Sequence, residues 1–139
     1  MLITDDGSED NSIEIIKKMI ELHKLTTKIV GCAIYRADDG LAMSSRNERL
    51  KPNYRKAAPF IYKTLKDAKK KFGTDSAKEV TEWVENQFKK HELLELEYFL
   101  IADIKTLKPV KRKSTKKTYR AFIAAYADDI RLIDNIALN

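Results

Sequence analysis

From Pro52 onward the hydrophobic period of this 139-residue chain changes once, at Glu95. Before that point apolar residues recur every three or four positions, and after it they alternate or cluster in short blocks. Helices first and strands after specify an α+β layer, helices packed on a small antiparallel sheet. Pro52 suits the first turn of a helix whose stripe is Ala57, Ala58, Ile61, Leu65 and Ala68, with Phe72-Gly73 ending it. Pro59 falls inside that stripe and predicts a late start or a kink. Asp75 or Ser76 caps the next helix, whose face is Ala77, Val80, Val84, Gln87 and Phe88, with Trp83 beside it. Past Glu95, Leu96, Tyr98, Leu100 and Ala102 share one side of a strand, and a turn follows Asp103. Tyr119–Tyr126 and Ile130–Leu138 flank Ala127-Asp128-Asp129 and read as an antiparallel hairpin.

Upstream, the polar first dozen residues lead to a cap at Asn11 or Ser12. Ile13, Ile16, Met19 and Ile20, extended by His23, predict an amphipathic helix to about Leu25. Lys28–Ile34 reads as a short buried strand and Ala37–Asn47 as a polar loop. Helix, strand and long loop together look like the tail end of an α/β unit. The expected boundary lies near Asn47–Pro52, dividing residues 1–50 from residues 51–139.

Composition narrows the function classes. The chain is 43% hydrophobic, enough for a packed core. Its longest apolar run, Ala121–Ala127, has seven residues, against roughly 20 for a membrane span. The start, Met1-Leu-Ile-Thr-Asp-Asp-Gly7, carries no basic residue and is no secretory signal, so a cytoplasmic protein is expected. The single cysteine, Cys32, excludes an internal disulfide framework and reads as a small core residue. His23 and His91 have no partner at metal-ligand spacing, and no metal-ligating residues are assigned. Asp128, Asp129 and Asp134 fall near hairpin ends, where turn geometry accounts for the first two.

The net charge is +6, yet Ile104–Arg120 alone holds eight basic and no acidic residues, leaving −2 for the rest. A second cluster is Lys63, Lys66, Lys69, Lys70 and Lys71. Such a run can bind phosphates, with Tyr119 as a stacking ring; a solvated loop is the commoner explanation. A small nucleic-acid-binding module acting through Lys105–Arg120 is the alternative function.

The stretch Gly40-Leu-Ala-Met-Ser-Ser-Arg-Asn47 offers two hydroxyls, a guanidinium and several backbone N–H groups within a few residues. Arg supplies a permanent bidentate charge and Ser both donates and accepts, a set suited to phosphate oxygens. On chemistry alone a polar connecting loop is the commoner explanation. The run Asp38-Asp39-Gly40-Leu-Ala-Met-Ser-Ser-Arg-Asn47, preceded by Val30-Gly31-Cys32, resembles a signature of the pantothenate synthetase (pantoate–β-alanine ligase) family. Tyr98–Leu107, ending in Asp103-Ile-Lys-Thr106-Leu107, and Arg131-Leu-Ile-Asp-Asn135 resemble two further family segments, in order. The resemblance extends over Ile13–Leu138 and marks the carboxy-terminal portion of such an enzyme.

The resemblance implies an ATP-dependent ligase of pantothenate biosynthesis, working with Mg²⁺. Pantoate would attack the α-phosphate of ATP to give pantoyl adenylate and pyrophosphate, and the β-alanine amine would then displace AMP. Met43-Ser44-Ser45-Arg46 would be the KMSKS-like element, with Ser44, Ser45 and Arg46 catalytic through the phosphates. Tyr35 and Met43 would flank the adenine. The first 50 residues would end a Rossmann-like ATP-binding domain, and residues 51–139 would be a lid. The departures are equally informative. No His-x-Gly-His motif is present, and Asp6-Gly7-Ser8-Glu9 with Asn11-Ser12 stands where the family has Gly-x-Lys-Asp and Gln-Gln. Ala33 replaces a common proline. The partner implied is therefore a Rossmann-like amino-terminal domain, and the chain by itself is expected to lack turnover.

Overall fold

The computed structural model describes residues 12–27, 33–110 and 112–139, apart from the side chains of Ser12 and Ile13. The expected strand at 28–34 falls mainly outside these residues, as do Cys32, Lys111 and the cap at Asn11. The chain forms two compact units, Met1–Tyr35 and Arg36–Asn139. The polar loop of residues 37–47 lies in the second of these units.

In the first unit, α1 spans Ser12–Leu22. It stops before Leu25 because Lys24 takes a left-handed conformation, φ 51°. The Leu25 N–H then donates to the Ile20 carbonyl and the Lys24 N–H to Glu21, a paired closure that satisfies two terminal carbonyls. Glycine is the usual residue there, so the sequence carries no signal for this end. Ile20 is buried, while Ile15, Met19, Leu22 and Leu25 are exposed.

The second unit is α+β. Its helices are α2 (Pro52–Ala57), α3 (Phe60–Thr74) and α4 (Ala77–Lys89). Its strands are β1 (Glu95–Asp103), β2 (Tyr119–Ala127) and β3 (Ile130–Ala137), antiparallel in the order β1-β2-β3. Pro59 breaks the expected single helix into α2 and α3, since it has no N–H for the helical ladder. Gly73 lies inside α3 and does not end it; the helix runs to Thr74. Ser76 caps α4 in a full capping box with Glu79, worth about 1 kcal/mol. Ala58, Ile61, Leu65, Ala68, Val80 and Val84 are buried and face Ile123 and Ala125 in one core.

One register feature departs from plain alternation. The β1–β2 ladder shifts between Leu96 and Tyr98. The extra residue, Glu97, carries Tyr98, Leu100 and Ala102 to the face opposite Leu96. Leu96, Phe99 and Ile101 consequently serve the core, and the four-residue row expected from alternation is split.

Candidate functional site

The polar loop is anchored by its apolar residues. Leu41 and Leu50 are both buried in the core of the second unit, so residues 42–49 form an arc pinned at each end. At the near end Arg36 and Ala42 form an isolated bridge, and the Ala37 N–H donates to the Leu41 carbonyl at 2.9 Å. Gly40, at φ +91°, makes the bend. A Cβ there would stand 2.7 Å from Cδ1 of Tyr62, so glycine is required on two grounds. Asp39 accepts the Leu41 N–H and pairs with Arg55 at 2.5 Å. The Arg55 hydrogen bond leads the effects holding the Asp39 carboxyl below its ordinary value.

At the far end the arc tightens into a 3-10 turn, Ser45–Arg49. Ser44 caps it, its hydroxyl accepting the Arg46 N–H at 3.2 Å. The Asn47 amide donates to the Ala42 carbonyl at 3.0 Å across the arc. Beyond the turn Lys51 pairs with Asp128, and Arg49 lies 3.7 Å from Asp129. Both carboxylates belong to the β2–β3 turn.

These constraints leave the candidate residues facing outward. Met43, Ser44, Ser45 and Arg46 are consecutive and exposed. Among the described residues the Arg46 guanidinium has no ion-pair partner. Tyr35, also exposed, lies in the first unit. The structure thus places Met43–Arg46 on one exposed arc in the second unit.

Sequence reasoning missed Asp134. It is not at a hairpin end but in the middle of β3, paired with Ile123 on the core face. Its carboxylate, 4% exposed, takes a two-pronged bond from Arg36 at 2.7 and 2.9 Å. Arg36 also donates to the Gly40 carbonyl at 3.1 Å and stacks 3.6 Å above the Tyr62 ring. A signal existed: Ile130, Leu132 and Ile136 alternate to one side, and Asp134 interrupts that row.

The basic stretch is less available than its composition suggests. Lys113 donates to the Phe72 carbonyl at 2.5 Å near the end of α3, Lys117 pairs with Asp103 at 2.9 Å, and Arg120 is buried and bonded to Asn135. Tyr119, expected as a stacking ring, is buried and meets Phe72 edge-on at 5.4 Å. His91 is occupied as well: its Nδ1 accepts the N–H groups of Leu93 and Leu94, and burial lowers its pKa. An open groove of about 770 Å³ lies elsewhere, between the end of α4 and the start of β1. Among the described residues no group of three or more His, Cys, Asp or Glu is placed to hold a metal.

Comparison with known proteins supplies the remaining facts. The sequence pattern of the family described as pantoate-beta-alanine ligase matches residues 7–137. A pantothenate synthetase of Christiangramia forsetii is 59% identical over 96% of this chain and 47% of its own length. The crystal structure of the Thermus thermophilus pantothenate synthetase aligns with a TM-score of 0.73 at 27% identity, covering 93% of this chain and 48% of that one. A Francisella tularensis pantoate-beta-alanine ligase, solved with beta-gamma ATP and beta-alanine, shares the fold at a TM-score of 0.53 and 24% identity, covering 93% of this chain and 42% of its own. The chain spans about half the length of the curated relatives it matches.

Proposed function

The chain belongs to the pantoate-beta-alanine ligase family, and from that premise we propose that it supplies the phosphate-binding arc and lid of an ATP-dependent ligase. The substrates are pantoate and β-alanine. The carboxylate of pantoate displaces pyrophosphate from the α-phosphate of ATP, and the amine of β-alanine then displaces AMP from the pantoyl adenylate. Ser44, Ser45 and Arg46 hold the departing phosphates, and Arg46 offsets negative charge as it develops on pyrophosphate. Met43 and Tyr35 flank the adenine. Residues 1–50 end a Rossmann-like nucleotide-binding domain, and residues 51–139 form the lid; a cytoplasmic location belongs to the same reading.

The observation that carries the proposal is the exposure of Arg46, without an ion-pair partner among the described residues, on an arc where Arg36 pairs with Asp134, Arg49 with Asp129, Lys51 with Asp128 and Arg55 with Asp39. The residues present do not form a cradle for Mg²⁺ among the described groups, so no step is assigned to that ion.

The pantoate pocket is assigned to the amino-terminal half found in the relatives, because this chain has neither the His-x-Gly-His motif nor the Gly-x-Lys-Asp group. The purified chain with Mg-ATP, pantoate and β-alanine is therefore expected to form no pantothenate, as followed by mass spectrometry. Product at a rate above the no-protein control would contradict the half-site reading.

A further inference from the structure

The geometry points to Asp134 and Arg36 as positioning residues that set the path of the Ser44–Arg46 segment, an inference resting on the nucleotide reading above. Asp134 occupies a place where its strand needs an apolar side chain, since Leu132 and Ile136 on either side serve the core. A buried ionised carboxylate is costly and gains little stability over a well-packed apolar pair. Packing therefore gives no reason for a carboxylate at this place. What the pair does provide is direction. The two parallel bonds from Arg36 admit one orientation of the guanidinium, and the face of Tyr62 lies 3.6 Å below it. The same guanidinium holds the Gly40 carbonyl, the point where the chain bends into the arc.

The other end of the arc is tied to the same strand. Arg49 and Lys51 reach Asp129 and Asp128, the two residues immediately before β3. The arc thus hangs from β3 at both ends, by a buried pair at one end and exposed pairs at the other. Exposed pairs contribute little and exchange readily. Of these ion pairs, the buried one at Arg36 is best able to hold residues 43–46 in a fixed place relative to the sheet.

The test compares the intact chain with Asp134→Asn, Asp134→Glu and Tyr62→Leu, using amide hydrogen exchange and Mg-ATP titration together. The loop reporters are the amides of Gly40, Leu41 and Asn47, which are hydrogen-bonded within the arc. The strand reporter is Ile123, opposite Asp134. Asp134→Asn is expected to speed loop exchange by about tenfold or more while Ile123 stays protected, because one buried partner is lost locally. Mg-ATP affinity should fall in parallel, Asp134→Glu should restore part of both, and Tyr62→Leu should give a smaller change of the same kind. Loop exchange and ATP affinity unchanged in Asp134→Asn would overturn the inference. So would faster exchange at Ile123 and in the loop together, which marks a purely structural role. If the unmodified chain gives no ATP response, the nucleotide reading fails, while the exchange contrast still decides the clamp.

Discussion

Two cationic loops of this chain are built on similar local chemistry and end up with different capacities. The arc after Arg36 and the basic stretch after Asp103 each begin with an aspartate that accepts backbone N–H groups: Asp39 from Leu41, and Asp103 from Lys105 and Thr106. Each contains a left-handed residue, Gly40 at φ +91° and Leu107 at φ 53°. The basic stretch has far more charge, yet its Lys113, Lys117 and Arg120 serve the fold. The arc has fewer cations and places one of them, Arg46, beside two serine hydroxyls on a support fixed by buried residues. On the proposed reading, a phosphate site is marked by which cation the scaffold leaves exposed, and charge density along the chain does not report that.

The largest expected effect separates the anchors of the two loops. Arg36→Ala leaves Asp134 buried without its cation and is expected to cost about 3 kcal/mol in urea unfolding. Lys117→Ala removes a half-exposed side chain and leaves Asp103 its bonds from Lys105 and Thr106, so it should cost much less. Equal losses would show that the two anchors do not differ as described.

Ligand binding sharpens the same contrast. Arg46→Ala removes a charge-assisted contact, and Mg-ATP affinity measured by calorimetry should drop by about 2 kcal/mol, roughly thirtyfold. The melting temperature should stay put, because the Arg46 side chain is exposed. Changing Lys105, Lys108 and Lys116 together to Gln should leave ATP affinity within about twofold.

Backbone geometry gives a smaller effect. Gly40→Ala meets both the left-handed conformation and the Tyr62 ring, for an expected loss of roughly 1–2 kcal/mol. An unchanged unfolding midpoint would place the bend elsewhere.

Acid gives the smallest. The hydrogen bond from Lys117, with lesser help from Thr106, holds the Asp103 carboxyl below its ordinary value of 3.8. A carboxylate depressed in the folded state stabilises the fold above its unfolded value and loses that contribution as pH falls through the folded one. The Thr106 amide should therefore lose protection, relative to its intrinsic exchange rate, as the solution is taken below about pH 4, with Asp103→Asn removing the transition. A transition that persists in Asp103→Asn would assign it to another group.

Much of this was legible in the sequence, and the reasons differ by element. The hairpin is written in the apolar block before Asp128-Asp129, and α4 in its Ser76–Glu79 box, because both depend on neighbours a few residues apart. Pro59 announced a disturbance through its missing N–H. The Glu97 bulge was not legible, since Leu96, Tyr98 and Leu100 alternate correctly until the ladder inserts one residue. The close of α1 at Lys24 lacked its usual glycine. Arg36 and Asp134 are 98 positions apart, and no local pattern joins them. For the candidate site, Met43–Arg46 was singled out by family resemblance, since residue types alone fit a polar loop; what supports the arc was not legible, because Leu41, Leu50 and Asp134 acquire that role only through the packed core.

An amide-resolved NMR titration of the chain with Mg-ATP, and then with short single-stranded DNA, decides whether the arc binds nucleotide. Shifts with Mg-ATP are expected to concentrate at Met43–Arg46 and Tyr35 and to be abolished in Arg46→Ala. Shifts centred on Lys105–Arg120, stronger with DNA and erased by salt, would contradict that expectation, as would the absence of any response to Mg-ATP at the arc.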